Sequence, residues 1–355
     1  MAYNKKQALI ANINAIETAF KIRQENRPAT EAEKTVLREY SGFGGLGVIM
    51  NDTEDLSRWA KDDLKLLPAV THLWDVVHQY AQSMQEEKEL RASLNNSVLT
   101  AFYTPEDFIS ILGKSLYKAM GSLPEKMLEP SAGNGRFLHL FDGIEGADYI
   151  RRVAFEKARI TGLVLQALES GTQVNIRGFE TVEPHTQGSY DLVVSNIPFA
   201  DVKVFDPDFV RSKDAQKKEA AGKLHTYFFA KALDMVKDGG LIAFITSRGV
   251  AEAPGNRGVR EYMVKHADLL SGIRLPDNLF ADDGITSVGT DLLVFQRNDN
   301  KQELSDTDRL FIQTLDYEQV NVGVGMEIIV PNTDVTHARN GYFAQPFTIE
   351  DMAEK

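Results

Sequence analysis

The sequence predicts an α/β fold: a mainly parallel seven-stranded sheet behind a helical N-terminal domain. Three observations lead there. From about residue 96, short apolar runs alternate with amphipathic stretches, the pattern of strands joined by crossover helices. Before that point, apolar residues recur at helical spacing among many charges. The 355 residues are 43% hydrophobic and 25% charged, an ordinary globular composition that rules out disordered, collagenous and coiled-coil chains. A chain of that length has room for about two domains.

Within residues 1–95, Ala8, Ile10, Ile13, Ile16, Ala19 and Phe20 define the first helix. Thr30-Glu-Ala-Glu33 is a capping box opening a second, which ends near Tyr40. A glycine-rich break follows at residues 41–47, SGFGGLG, with Phe43 as its buried aromatic. Further helices are expected over Glu54–Leu67 and Ala69–Leu94. The expected strands are Lys126–Glu129, Arg152–Phe155, Val174–Phe179, Asp191–Ser195, Leu241–Thr246, Leu269–Leu275 and Asp291–Gln296. Helices are expected over Pro105–Met120, Arg136–Phe141, Lys157–Ser170, His225–Val236 and Arg257–His266. The division is therefore a helical domain over 1–95, the sheet domain over 96–300, and an irregular extension over 301–355 with a strand at Glu327–Val330.

Composition also bounds function. With no cysteine there are no disulfides, thiolate metal sites or cysteine nucleophiles. The seven histidines show no pair at ligand spacing, so no metal is expected. No signal peptide is recognised, and no apolar run approaches the roughly 18 residues of a membrane span. A cytoplasmic chain without a membrane role is expected. The net charge of −12 means that any nucleic-acid contact is local or shared with another chain.

Two segments carry chemistry. Met127-Leu-Glu-Pro-Ser-Ala-Gly-Asn-Gly-Arg-Phe137 is a strand running into a turn with Gly133 and Gly135, then a helix. Small residues there let a ligand lie against backbone at the carboxyl edge of a sheet. Leu138 stands where a dinucleotide fingerprint would have its third glycine, and no Walker Lys-Ser/Thr follows. What remains fits an adenosine-type ligand without pyrophosphate. Glu156, at the end of the next strand, is placed to accept ribose hydroxyls. The second segment is Tyr190-Asp-Leu-Val-Val-Ser195 running into Asn196-Ile197-Pro198-Phe199. Asn196 offers an amide oxygen. Ile197 offers a carbonyl held out of the α region by the proline that follows, and Phe199 a face for stacking. Two acceptors converging on an exocyclic amine would free its lone pair for an electrophilic methyl.

In that order, the glycine loop, acidic second strand and Asn-Ile-Pro-Phe turn resemble the S-adenosylmethionine-dependent N6-adenine DNA methyltransferases of γ-type order. Ala101-Phe-Tyr-Thr-Pro105 resembles the segment that in this family holds the methionine part of the cofactor. REYSGFGGLG at 38–47, RGFETV at 177–182, the stretch 224–249 and DLLSGIRLPDNLF at 268–280 resemble the methylase part of large methylase–helicase proteins of phages and conjugative elements. The resemblance implies a Rossmann-like methyltransferase sheet, S-adenosylmethionine as cofactor, DNA as partner, and a helicase domain or subunit as a further one. It implies that Tyr103 and Thr104 hold the methionine carboxylate and that Glu129, Pro130, Ala132, Gly133 and Gly135 line the methionine and ribose. Glu156 would bind the ribose hydroxyls and Phe179 the adenine ring, with Glu180 against the cofactor amine. Asn196, Ile197, Pro198 and Phe199 would hold the target adenine. Two departures stand out. Ile197 replaces the first proline of Asn-Pro-Pro-Tyr/Phe, and Gly178-Phe179-Glu180 replaces a third strand ending in Asp-Phe.

Rival chemistries are weighed on residues. Cytosine-C5 methylation needs the absent cysteine. Cytosine-N4 enzymes usually carry serine where Asn196 stands. Protein glutamine methylation uses a similar turn, and a catalytically weak or inactive module, serving as a DNA- or partner-binding platform, would suit the acidic charge and altered turn. Of two basic loops, Lys203–Lys223 is nearly balanced by acids and reads as a solvated loop, whereas Arg248, Arg257 and Arg260 oppose only Glu252 and are the expected phosphate contacts.

Overall fold

The computed structural model describes residues 4–100, 103–276, 289–321, 327–331 and 338–340. Two residues of the Ala101–Pro105 segment, residues 277–280 of the 268–280 stretch and much of the 301–355 extension lie outside that range. By its contacts the chain divides into two units. One holds Met1–Val182 and Val194–Asn196; the other holds Glu183–Val193, Ile197–Pro276 and the chain from Gly289 onward.

The first unit begins with α1 (Lys5–Glu25), whose N-cap Asn4 accepts from the backbone of Lys6 and Gln7, and which stops at Asn26 in the left-handed region at φ 48°. The capping box expected at Thr30/Glu33 opens α2 (Glu31–Arg38). Glu54–Leu67 is not the expected helix. It holds only short 3-10 turns at Leu56–Arg58 and Leu64–Leu66, because Asp52 and Asp55 draw the N–H groups of Glu54 and Ser57 onto their own carboxylates. The single helix expected over 69–94 is two, α3 (Leu67–Tyr80) and α4 (Met84–Thr100). Ser83 and Glu86 cap the restart: the Glu86 N–H donates to Ser83 Oγ and the Gln82 N–H to Glu86 Oε2. After α5 (Glu106–Met120) come β1 (Lys126–Glu129), β2 (Arg151–Phe155), α6 (Arg159–Leu168) and β3 (Gln173–Asn175).

The boundary expected at residue 95 does not separate two cores. Leu9, Ile13, Phe20, Leu37, Phe43, Leu73 and Leu94 share one buried cluster with Ile160, Leu163 and Val164 of α6. Glu86 joins the same elements by accepting from Arg23 and Arg159. The N-terminal helices thus cover an apolar face of α6 that would otherwise meet water.

The second unit carries most of β4 (Tyr190–Asn196), then α7 (Pro207–Arg211), α8 (Ala215–Ala220), α9 (Leu224–Met235) and β5 (Val236–Ser247). It continues with α10 (Gly249–Glu252), α11 (Arg257–His266), β6 (Ala267–Arg274) and β7 (Thr290–Arg297). Phe229 packs edge-on against Phe244 and Phe295, and Phe295 against Phe311 of α12 (Asp306–Ile312), the centre of this core. In the extension the strand expected at Glu327–Val330 is β9 (Glu327–Pro331), antiparallel to β8 (Thr314–Asn321), with β10 (Ala338–Asn340) on the other edge of β8.

All seven expected strands belong to one sheet of order β3-β2-β1-β4-β5-β7-β6. Parallel pairing joins β1 to β2 and β2 to β3, while β7 runs antiparallel to β5 and β6, so the sheet is mixed. The order turns back between β1 and β4, the switch point at which open α/β sheets hold ligands beyond their strand ends. Among the described residues no helix is long and apolar enough to cross a membrane.

Candidate active site

β1 ends at Glu129 because Pro130 has no N–H to extend the ladder. The turn that follows is held by the Ala132 N–H donating to Phe155 O (2.9 Å) and the Gly135 N–H to Ala132 O (2.8 Å). Gly133 and Gly135 have φ of +54° and +83°. A Cβ at Gly133 would lie 2.6 Å from the Tyr103 ring, and one at Gly135 2.5 Å from Leu165 Cδ1, so glycine is required at both by conformation and by space. The helix expected over Arg136–Phe141 is a single 3-10 turn, Arg136–His139.

Glu156 is bound into this loop. Its Oε2 accepts from the Gly133 N–H (2.7 Å) and its Oε1 from the Ala158 N–H (2.6 Å), and burial raises its pKa. Sequence reasoning gave it only a ligand role. Its spare lone pairs remain compatible with hydroxyl donors, but it also fixes the glycine turn. Glu129 differs. It is 1% exposed and its Oε2 has no hydrogen-bond partner. Burial pushes its carboxyl well above the usual range, and the charges of Glu156 and Glu169 push the same way. Thr104 is also buried with Oγ1 unpartnered, while its carbonyl accepts from Arg136 Nη1 (2.9 Å). Tyr103 lies against Gly133, its hydroxyl pKa raised by burial first. A carboxyl with one oxygen unpaired and an unpaired hydroxyl beside a bare backbone turn fit a ligand with a cationic amine and further polar groups.

The third strand is shorter than expected, ending at Asn175. Phe179 therefore opens a 3-10 turn, Phe179–Thr181, its ring buried edge-on against Phe155 at 6.3 Å. The Glu180 carboxylate folds back over Gly178, filling the space that a Cβ there would need, and accepts from Lys157 Nζ (3.1 Å). Glycine at 178 thus leaves room for the Glu180 carboxylate.

At the other side of the switch point, Ser195 is fully buried and its Oγ donates to Ser131 O (3.2 Å), tying the end of β4 to the glycine loop. Neither serine was singled out in the sequence. Asn196, half-buried, closes β4 within the same unit as the loop. Ile197, Pro198 and Phe199 belong to the second unit. There the buried Ile197 donates its N–H to Ile245 O of β5 (3.0 Å), and Ala200 O accepts from the Leu224 N–H at the start of α9 (3.1 Å). Proline at 197 could not make the first bond, which gives isoleucine there a structural reason.

The three arginines expected at phosphates separate. Arg248 and Arg257 are exposed. Arg260 is fully buried: its guanidinium donates to the carbonyls of Val250, Ala253 and Ile312, and burial lowers its pKa to about 10. The expectation that it contacts DNA is corrected. It lies on the inward face of α11 with Val259, Met263 and Val264, whereas Arg257 points outward.

The strand order and glycine turn give an α/β sheet with a ligand-binding turn at its switch point. The chain belongs to the N-6 DNA Methylase family, which matches residues 91–324. That membership makes the chain a methylase by family, with S-adenosylmethionine as the implied cofactor. Over 201 residues the chain is 26% identical to Defense against restriction protein B of Escherichia phage P1, covering 56% of this chain and only 8% of that one. A type I restriction-modification methyltransferase subunit of Streptococcus thermophilus superposes with a TM-score of 0.49 at 12% identity, over 88% of each chain. The type IIG restriction endonuclease BpuSI superposes at 0.47 and 16% identity, over 87% of this chain and 39% of that one.

Proposed function

We propose that this chain methylates the N6 amine of an adenine swung out of duplex DNA. The observation that carries the reading is the Ser195–Ser131 hydrogen bond, which ties the strand ending in Asn196 to the glycine turn. S-adenosylmethionine supplies an electrophilic methyl group when bound. Glu129 would pair with its amine, Thr104 and Tyr103 would meet the methionine carboxylate, and Glu156 would accept from the ribose hydroxyls. Pro130, Ala132, Gly133 and Gly135 would keep the floor flat. Phe179 and Glu180 would bound the adenine side.

On the substrate side, Asn196 Oδ1 and the Ile197 carbonyl would each accept one hydrogen of the adenine amine. That aims the lone pair away from the ring plane, toward the methyl. Pro198 would keep Ile197 out of the α region, so that its carbonyl faces outward. Phe199 would stack on the base. No general base would be needed before attack: the new N–C bond would form as the methyl–sulfur bond breaks, with S-adenosylhomocysteine as the leaving group, and the amine proton, acidic only then, would leave to solvent. Exposed Arg248 and Arg257 are the proposed phosphate contacts. DNA is the proposed substrate, and a helicase-bearing chain a further proposed partner. The test is Asn196→Ala: methyl transfer to DNA is expected to fall by about two orders of magnitude with cofactor affinity unchanged. Unaltered turnover would overturn the assignment.

A further inference from the structure

Resting on that reading, we propose that the loop following the Asn-Ile-Pro-Phe turn is a DNA wedge. Phe205 enters the base stack where the adenine leaves, while Lys203 and Arg211 hold phosphates on either side. The loop presents Val202, Phe205 and Val210 to solvent at 59%, 74% and 54% exposure. Three large apolar side chains so exposed within nine residues of chain mark a contact surface.

They do not sit on a slack loop. Between them Val204, Asp206 and Phe209 point inward and are buried. The Val204 N–H donates to Ala221 O (2.9 Å). Asp206 accepts from the Tyr227 hydroxyl (2.7 Å), from Lys231 Nζ (2.9 Å) and from the Asp208 N–H (2.9 Å). The Phe209 ring packs 4.9 Å from the Tyr227 ring. The Asp206 and Lys231 side chains are each 2% exposed, and a buried ion pair of that kind adds little net stability but holds one conformation. The conformation it holds is the one that keeps Phe205 out.

Charge identifies the occupant. Most acids of this loop are engaged, Asp206 with Lys231, Asp201 with Lys223 and Asp214 capping α8, which leaves Asp208 against three cations. Among the described residues Lys203, Arg211 and Lys213 make no ion pair. On a chain of net charge −12 this is a local positive patch around an exposed aromatic. Apolar wedges flanked by cations are how proteins enter and unstack a duplex, and an apolar protein partner would not need the cations.

The test uses full-length protein, labelled S-adenosylmethionine, and sheared genomic DNA from a bacterial strain lacking N6-methyladenine, either duplex or heat-denatured. Phe205→Ala is expected to slow transfer to duplex DNA by about tenfold or more and transfer to denatured DNA by less than about threefold, since single strands need no unstacking. Phe205→Trp is expected to restore the duplex rate, and Lys203→Ala with Arg211→Ala to flatten its salt dependence. Equal loss on both DNAs, or no loss on either, overturns the wedge; the second result points to a protein-docking surface. If the native chain methylates neither DNA, the methylation reading fails. The wedge is then read from acrylamide quenching of Phe205→Trp, after subtracting the native signal. Shielding by excess duplex supports it, and no shielding or no binding overturns it.

Discussion

Replacing Glu129 by glutamine should move stability and cofactor affinity in opposite directions. In the cofactor-free protein Glu129 is 1% exposed with one oxygen unpartnered, and burial together with Glu156 and Glu169 raises its pKa. A carboxyl whose folded pKa is raised contributes stability that is complete below its ordinary value of 4.5 and is lost as pH rises through the folded value. At pH 8, above that ordinary value, the raised pKa is therefore a burden that the neutral amide lacks. Glu129→Gln is expected to stabilise the cofactor-free chain by about 1 kcal/mol, the order of one pKa unit of difference between protonation states. The same change removes a charge-assisted bond to the cofactor amine, worth about 1.5–3 kcal/mol, so affinity should fall roughly tenfold to a hundredfold. Native affinity should rise with pH as Glu129 ionises, and the variant's should not. Denaturant unfolding without cofactor and calorimetric titration with S-adenosylmethionine measure both. A variant that is less stable without cofactor, or that binds it as the native chain does, refutes the reasoning.

Other perturbations follow from the same contacts. Gly133→Ala forces a side chain into a φ of +54° and against Tyr103, and should abolish measurable cofactor binding in the same titration while the chain still unfolds cooperatively. Arg260→Ala strands three carbonyl groups and should cost about 3 kcal/mol in denaturant unfolding. At temperatures where that variant remains folded, the salt slope of its DNA binding should be unchanged, whereas Arg257→Ala should reduce the slope by about one. His139 lies between Glu169 and Asp142 at 2.9 Å each, and the Glu169 bond raises its pKa above the ordinary 6.5. Its contribution to stability is full below 6.5 and is lost as pH rises through the folded value, a slope that His139→Gln should flatten in melts taken across that range.

The sheet was legible because most of its strands are apolar runs bounded by turns, and β1 and α11 begin and end where the pattern says. Local side-chain chemistry explains the misses. Asp52 and Asp55 unmade a helix that charge and spacing alone suggested, and Ser83-Met-Gln-Glu86 held a readable capping box that splits α3 from α4. Arg260 could have been assigned inward from its spacing to Met263 and Val264. The site was legible as motifs but not as contacts. That Glu156 pins Gly133, that Glu180 fills the space beside Gly178, and that Ile197 donates to Ile245 depend on which backbone lies alongside, and no spacing in the sequence fixes that.

The central claim is tested most directly by incubating the purified chain with S-adenosylmethionine and duplex DNA free of methylated bases, then digesting the DNA to nucleosides for mass spectrometry. The account predicts N6-methyldeoxyadenosine that accumulates with time and is absent with Asn196→Ala. Methylated cytosine in its place, or no methylated nucleoside from a chain that binds the cofactor, would contradict it.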